Sequence, residues 1–177
     1  STITDTVSVG EFPMDIAILP DGQHAVVPNA LSDSVSVIHI PSRTVTAEIP
    51  VTGSQPYRVE VSSSSDDLVV VGVMNDAVSS AVSIVDVSLL AEVSSFATVP
   101  QGVFGGFFTP EVGIFGNLTS QLRLTPDGST LVMVDRAAAE VVLYDVATGA
   151  ATANLPVASY PTSIDVSLDG TLAVVGH

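Results

Sequence analysis

One local pattern limits what this chain can become. At residues 122–134, LRLTPDGSTLVMV, two short alternating apolar runs flank the triplet Pro126-Asp127-Gly128. Proline presets φ, aspartate bonds its own backbone and glycine accepts positive φ, so the triplet makes a tight turn between two strands. The same arrangement recurs as IAILPDGQHAVV, RVEVSSSSDDLVV and IDVSLDGTLAVV. The period of two in the flanking runs points to strands and excludes amphipathic helices. The chain is therefore expected to be all-β, built from one repeated antiparallel unit.

Taken in order, residues 2–9, TITDTVSV, read as one strand, broken at Gly10-Glu11-Phe12-Pro13. The first unit then supplies MDIAIL, a turn at Pro20-Asp21-Gly22, the strand Ala25-Val26-Val27, a polar loop at 29–33, SVSVIHI, a turn at Pro41-Ser42 and TVTAEIPV. Four strands joined by short turns make an antiparallel meander. Units open at Pro13, Pro56, Thr119 and Pro161, at intervals of 43, 63 and 42 residues. The long interval holds one repeat and an insertion at about 97–118. A period in the low forties with four strands per unit is a propeller-blade signature.

The units resemble the YVTN-type β-propeller repeat. The likeness is carried by IAILPDGQHAVVPN with SVSVIHI in the first copy and by LRLTPDGSTLVMVD with VVLYDVATG in the third. The second copy departs, with Ser63-Ser64-Ser65 in place of Pro-Asp-Gly. The resemblance implies blades whose first strand lines a central channel. About three full blades, plus partial ones, would then lie in residues 1–177 as a single propeller segment. Such a segment implies a fragment of a larger ring, or a ring completed by other chains or by copies of this one.

Composition narrows the partners. There are 19 acidic residues, 13 of them Asp, against four Arg and no Lys, for a formal charge of −15. That charge repels nucleic acid and anionic lipid. It suits an acidic extracellular, periplasmic or cell-surface protein, or one adapted to high salt. Cysteine is absent, which removes disulfides, thiolate nucleophiles and thioether-linked haem. No apolar run approaches the roughly 18–20 residues of a membrane span; the longest, 68–74, reads as a buried strand.

Aligning the four first strands brings a polar set into register: Asp15, Arg58, Gln121 and Ser163 two residues after the opening position, then Ala17, Glu60, Arg123 and Asp165. The intervening Ile16, Ile18, Val59, Val61, Leu122, Leu124, Ile164 and Val166 are expected to face the core between blades, leaving the polar set on the opposite face. Asp15, Arg58, Glu60, Arg123 and Asp165 are therefore channel candidates. Arg58 and Arg123 could grip an anion; alternatively Arg58 pairs with Glu60 or Asp15, and Arg123 with Asp165, as structural ion pairs. In the insertion, Phe104, Phe107, Phe108 and Phe115 are candidates for a lid or partner contact, or for a plug between blades. Asn117-Leu118-Thr119 is a glycosylation sequon at a strand start.

The Asp-rich turns each offer one or two carboxylates, too few for calcium, so turn formation is the expectation. His24, His39 and His177 read as scattered, with no metal-ligand pair and no cofactor motif. Tyr144 is expected in a core or interface. No Ser-His-Asp spacing, nucleophile elbow or phosphate loop is present. Two classes of function remain: a non-catalytic propeller scaffold for protein or ligand binding, or an enzyme. The resemblance extends to sugar-lactone hydrolases and to propeller subunits of oxidoreductases. In a hydrolase, Glu60 or Asp165 would serve as general base.

Overall fold

A computed structural model describes residues 3, 5–64, 67–74, 80–98, 122–136 and 138–177. Their strands are β1 (Ala17–Ile18), β2 (His24–Asn29), β3 (Ser34–His39), β4 (Thr44–Pro50), β5 (Pro56–Val61), β6 (Leu68–Met74), β7 (Ser80–Asp86), β8 (Ala91–Thr98), β9 (Leu122–Leu124), β10 (Thr130–Asp135), β11 (Glu140–Asp145), β12 (Ala151–Pro156), β13 (Ser163–Val166) and β14 (Ala173–Gly176). They form three antiparallel four-stranded sheets in meander order and one two-stranded sheet, β13–β14. The first strands of successive sheets are neighbours, so the sheets stack as blades.

Stacking follows from the residue pattern. Each strand alternates, yet both faces of a blade are apolar, so each face needs another sheet. Val26, Val35, Val37 and Ile49 of the first blade bury against Val59, Val69, Val71 and Val85 of the second. The other face of the second blade, with Val70, Val82 and Ile84, meets Leu122, Leu131, Met133 and Tyr144 of the third. Val132 and Val141 then pack on Ile164 and Val175. Tyr144 is core, its ring 5.9 Å from that of Phe96.

Two expectations fail at the first blade. Residues 5–9 belong to no sheet. Val7 and Val9 lie on Ala25, Val27, Ile38 and Val45, covering part of one face without pairing along an edge. Ile16 and Ile18 are not in a core. They are 61% and 59% exposed, whereas Val59 and Leu122 are 3% and 0% exposed. Register explains the difference. Ile18 pairs with Ala25 as Val61 pairs with Val69, so these isoleucines point to the side where each later blade meets its predecessor. Here no described sheet lies on that side.

The blades share irregularities as well as strands. The register between third and fourth strands shifts at Val37/Ile38, Ile84/Val85 and Leu143/Tyr144, three equivalent positions. Such bulges sharpen local twist. Phe12, Gln55 and Tyr160 all have positive φ, and each precedes a proline that opens a blade.

The turns hold themselves by their own carboxylates. Asp127 accepts from Thr125 Oγ1 at 2.6 Å and from the Ser129 amide at 3.1 Å, and Asp169 accepts equivalent bonds from Ser167 and Thr171. Asp21 accepts from the amides of Gln23 and His24. The serine turn of the second blade binds its neighbour instead: Ser63 Oγ donates to Pro126 O at 2.8 Å and Ser64 Oγ to Asp127 O at 2.9 Å.

Hydrogen bonds from Thr125 and Ser167 respectively hold the carboxyls of Asp127 and Asp169 below the ordinary range, that of Asp169 at about 2. Asp21, Asp86 and Asp145 are lowered in the same direction, each chiefly by a side-chain bond, from His24, Ser88 and Thr148. Groups depressed on folding stabilise above their ordinary pKa, and that contribution disappears as pH falls through the depressed values. Acidification from neutral pH also relieves the self-repulsion of 15 net negative charges, down to a pI of about 4.1. Thermal midpoints measured against pH are therefore expected to rise towards about pH 4 and fall steeply below it; a midpoint still rising at pH 2 would contradict this account.

Two glycines separate strain from crowding. Gly22 and Gly128 have φ of +64° and +75°, but a Cβ on Gly22 meets nothing within 4 Å, while one on Gly128 would lie 2.7 Å from Ser62 Oγ. Gly22→Ala should cost about 1–2 kcal/mol from the left-handed backbone alone. Gly128→Ala should cost about 1–3 kcal/mol more, from overpacking against the neighbouring turn. Urea denaturation of the two variants measures the difference.

Candidate functional site

The polar residues of the first strands assemble into one ladder. On β5, Arg58 and Glu60 are two residues apart and share a face. Arg58 Nη2 donates to Glu60 Oε1 at 2.9 Å, and Arg58 Nε lies 3.4 Å from Asp15 Oδ2 of the first blade. The same Asp15 oxygen accepts the Val59 amide at 3.1 Å. Arg123 Nη1, from β9, reaches back to Glu60 Oε1 at 2.7 Å, and its Nε donates to Asp165 Oδ1, on β13, at 3.1 Å. Asp15, Arg58, Glu60, Arg123 and Asp165 thus alternate in charge across four successive sheets.

All five aligned candidates come together, and the pairs Arg58–Glu60, Arg58–Asp15 and Arg123–Asp165 form side by side. The bond from Arg123 to Glu60 was not legible beforehand. It depends on how closely two blades approach at their inner edges, which no single strand encodes. Gln121 and the loop candidates Phe104, Phe107, Phe108 and Phe115, like the sequon at Asn117, lie outside the described residues.

Burial is graded along the ladder. The Glu60 side chain is 15% exposed, Asp165 78%. The hydrogen bond from Arg123 is the largest cause holding Asp165 below its ordinary value, with the Val166 amide next. The chemical consequence is that both guanidiniums are already matched by carboxylate oxygens. Glu60 sits between two cations, Arg58 and Arg123, and one of its oxygens, Oε1, contacts both.

A second grouping joins residues that read as scattered. His24 and His39 are directly opposite across β2 and β3, their ring centroids 5.2 Å apart. The signal was present in the hairpin: counting back from its loop places them in register. Among the described residues, no cluster of three or more His, Asp or Glu side chains could hold a metal ion, and no helix is long and apolar enough to cross a membrane.

No known family profile and no curated protein matches this chain by sequence. Its structure does match a solved one, Kuenenia stuttgartiensis hydrazine synthase, with a TM-score of 0.69 at 19% identity, over 99% of this chain and 45% of that one. The fold is part of a β-propeller. At such identity the likeness carries the architecture alone, and this chain spans less than half the length of that neighbour.

Position along the ladder should decide what each carboxylate contributes. Glu60→Ala removes the carboxylate shared by two partly buried guanidiniums, leaving Arg58 with Asp15 and Arg123 with Asp165, and is expected to cost about 1–3 kcal/mol. Asp165→Ala removes an exposed partner and should cost under about 1 kcal/mol. Equal losses in chemical denaturation would show that burial does not set the ranking.

Proposed function

We propose that this chain is a non-catalytic propeller scaffold of the YVTN type, acting outside the cytoplasm by presenting surfaces to a protein or ligand. The observation that carries this reading is the pairing of both channel arginines. Arg58 and Arg123 each contact two carboxylates, and neither is left to grip an anionic substrate. The strongly acidic, lysine-free and cysteine-free composition supports the location and disfavours nucleic acid as a partner. Replacing Arg58 and Arg123 together by alanine is expected to lower the thermal midpoint without removing any lactone hydrolysis, because the parent chain should show none. A parent that opens lactones, and a variant that loses this activity at unchanged stability, would sink the reading in favour of a hydrolase.

The same proposal includes a further blade against the open face of the first. Ile16 and Ile18 stand where every later blade buries an aliphatic residue against its predecessor. Burying one such side chain is worth about 1.5–3 kcal/mol. The occupant is a sheet face like the one this blade offers on its other side. Light scattering should find the purified chain self-associating in the micromolar range, and Ile16→Asp with Ile18→Asp should return it to a monomer. A parent chain that stays monomeric would exclude a ring closed by copies of itself.

A further inference from the structure

We propose that His24 and His39 form a two-imidazole binding site for a late first-row divalent cation, Cu2+ or Zn2+, beside the cleft between the first two blades. The rings project from neighbouring strands at directly opposed positions, with centroids 5.2 Å apart and planes tilted by 46°. A metal bonded to two imidazole nitrogens at about 2.0–2.1 Å spans roughly 3.3 Å between them. Reaching that span requires rotation of the two rings about their side-chain torsions.

The decisive feature is which nitrogens are already used. His24 Nδ1 lies 2.6 Å from Asp21 Oδ2, and His39 Nδ1 lies 2.7 Å from Ser42 Oγ. Ser42 Oγ also donates to His39 O at 3.5 Å and shares a 2.8 Å bond with Thr44 Oγ1. A carboxylate can only accept, so Asp21 fixes the Nδ1–H tautomer of His24 and leaves Nε2 as a lone-pair donor. The single Ser42 hydroxyl proton has three possible acceptors, His39 Nδ1, Thr44 Oγ1 and the His39 carbonyl, so a metal at Nε2 selects the His39 tautomer in which Nδ1 donates to Ser42. Among the described residues, neither Nε2 has a hydrogen-bond partner. A carboxylate behind an imidazole is the usual outer support of a metal-bound histidine, and it raises the basicity of the ligating nitrogen.

The surroundings are anionic and open. A cleft of about 160 Å3 borders His24, with Asp21 and Thr46 on one blade and Asp67 and Ser88 on the other. The charged groups that line the cleft beside His24 are Asp21 from the turn before β2 and Asp67 from the second blade, with no Arg among the lining residues; His39 lies next to this lining, across the strand pair. Two imidazoles favour copper and zinc over calcium or magnesium, and water completes the coordination.

Isothermal titration of the intact chain with copper(II) sulfate at neutral pH, with zinc chloride as competitor, tests the site. The expected result is one saturable equivalent, abolished by His24→Gln or His39→Gln and unchanged by His177→Gln. Asp21→Asn keeps both imidazoles and should weaken binding by about 10-fold or more. Paramagnetic resonance of the copper-loaded parent chain, which needs no variant to fold, should show hyperfine coupling to two nitrogens. All-oxygen coordination, binding that survives replacement of both histidines, or no saturable binding would overturn the proposal.

Discussion

Face-to-face burial between sheets is the interaction on which the rest of this molecule depends. A blade with valine on both faces cannot satisfy either face alone, and a single two-layer contact leaves the outer faces wet. Each added blade buries one face and offers another. Val69, Val71 and Val85 bury one side of the second blade while Val70, Val82 and Ile84 bury the other. The first blade shows the consequence of the rule where the stack has no described sheet: Val7 and Val9 of a short segment cover Ala25, Val27 and Ile38, and Ile16 and Ile18 remain in water.

The polar ladder is the counterpart of that stacking. Blades that approach closely at their inner edges bring the polar face of each first strand near the next. Charges placed there are partly desolvated and need partners. Alternating signs along Asp15, Arg58, Glu60, Arg123 and Asp165 meet the need with one carboxylate shared between two arginines. Both guanidiniums are thereby matched by carboxylate oxygens. The histidine pair differs because, among the described residues, its hydrogen bonds occupy one nitrogen of each ring.

Much of the architecture was legible in the chain. The turn triplets, the period of two and the repeat spacing together specify antiparallel four-stranded units, and the aligned first strands put all five ladder residues on one face. Two things escaped. Residues 5–9 alternate as a strand does, but alternation reports only which side chains share a face. Pairing requires a free edge within reach, and the segment found a covering position instead. The histidines, 15 residues apart, became neighbours only when the hairpin register was counted.

By itself, then, the sequence determined what is local and repeated: the turns, through residues that favour their dihedral angles, and the strands, through alternation that admits no helix. The tertiary structure decided what depends on distance between units. It set the contact of Arg123 with Glu60, the recurring bulges at Val37/Ile38, Ile84/Val85 and Leu143/Tyr144, and the exposure of Ile16 and Ile18 against the burial of Val59. The physical reason is that an aliphatic side chain or a charge carries the same chemistry in every repeat. Its burial and its partner depend on which sheet lies against it.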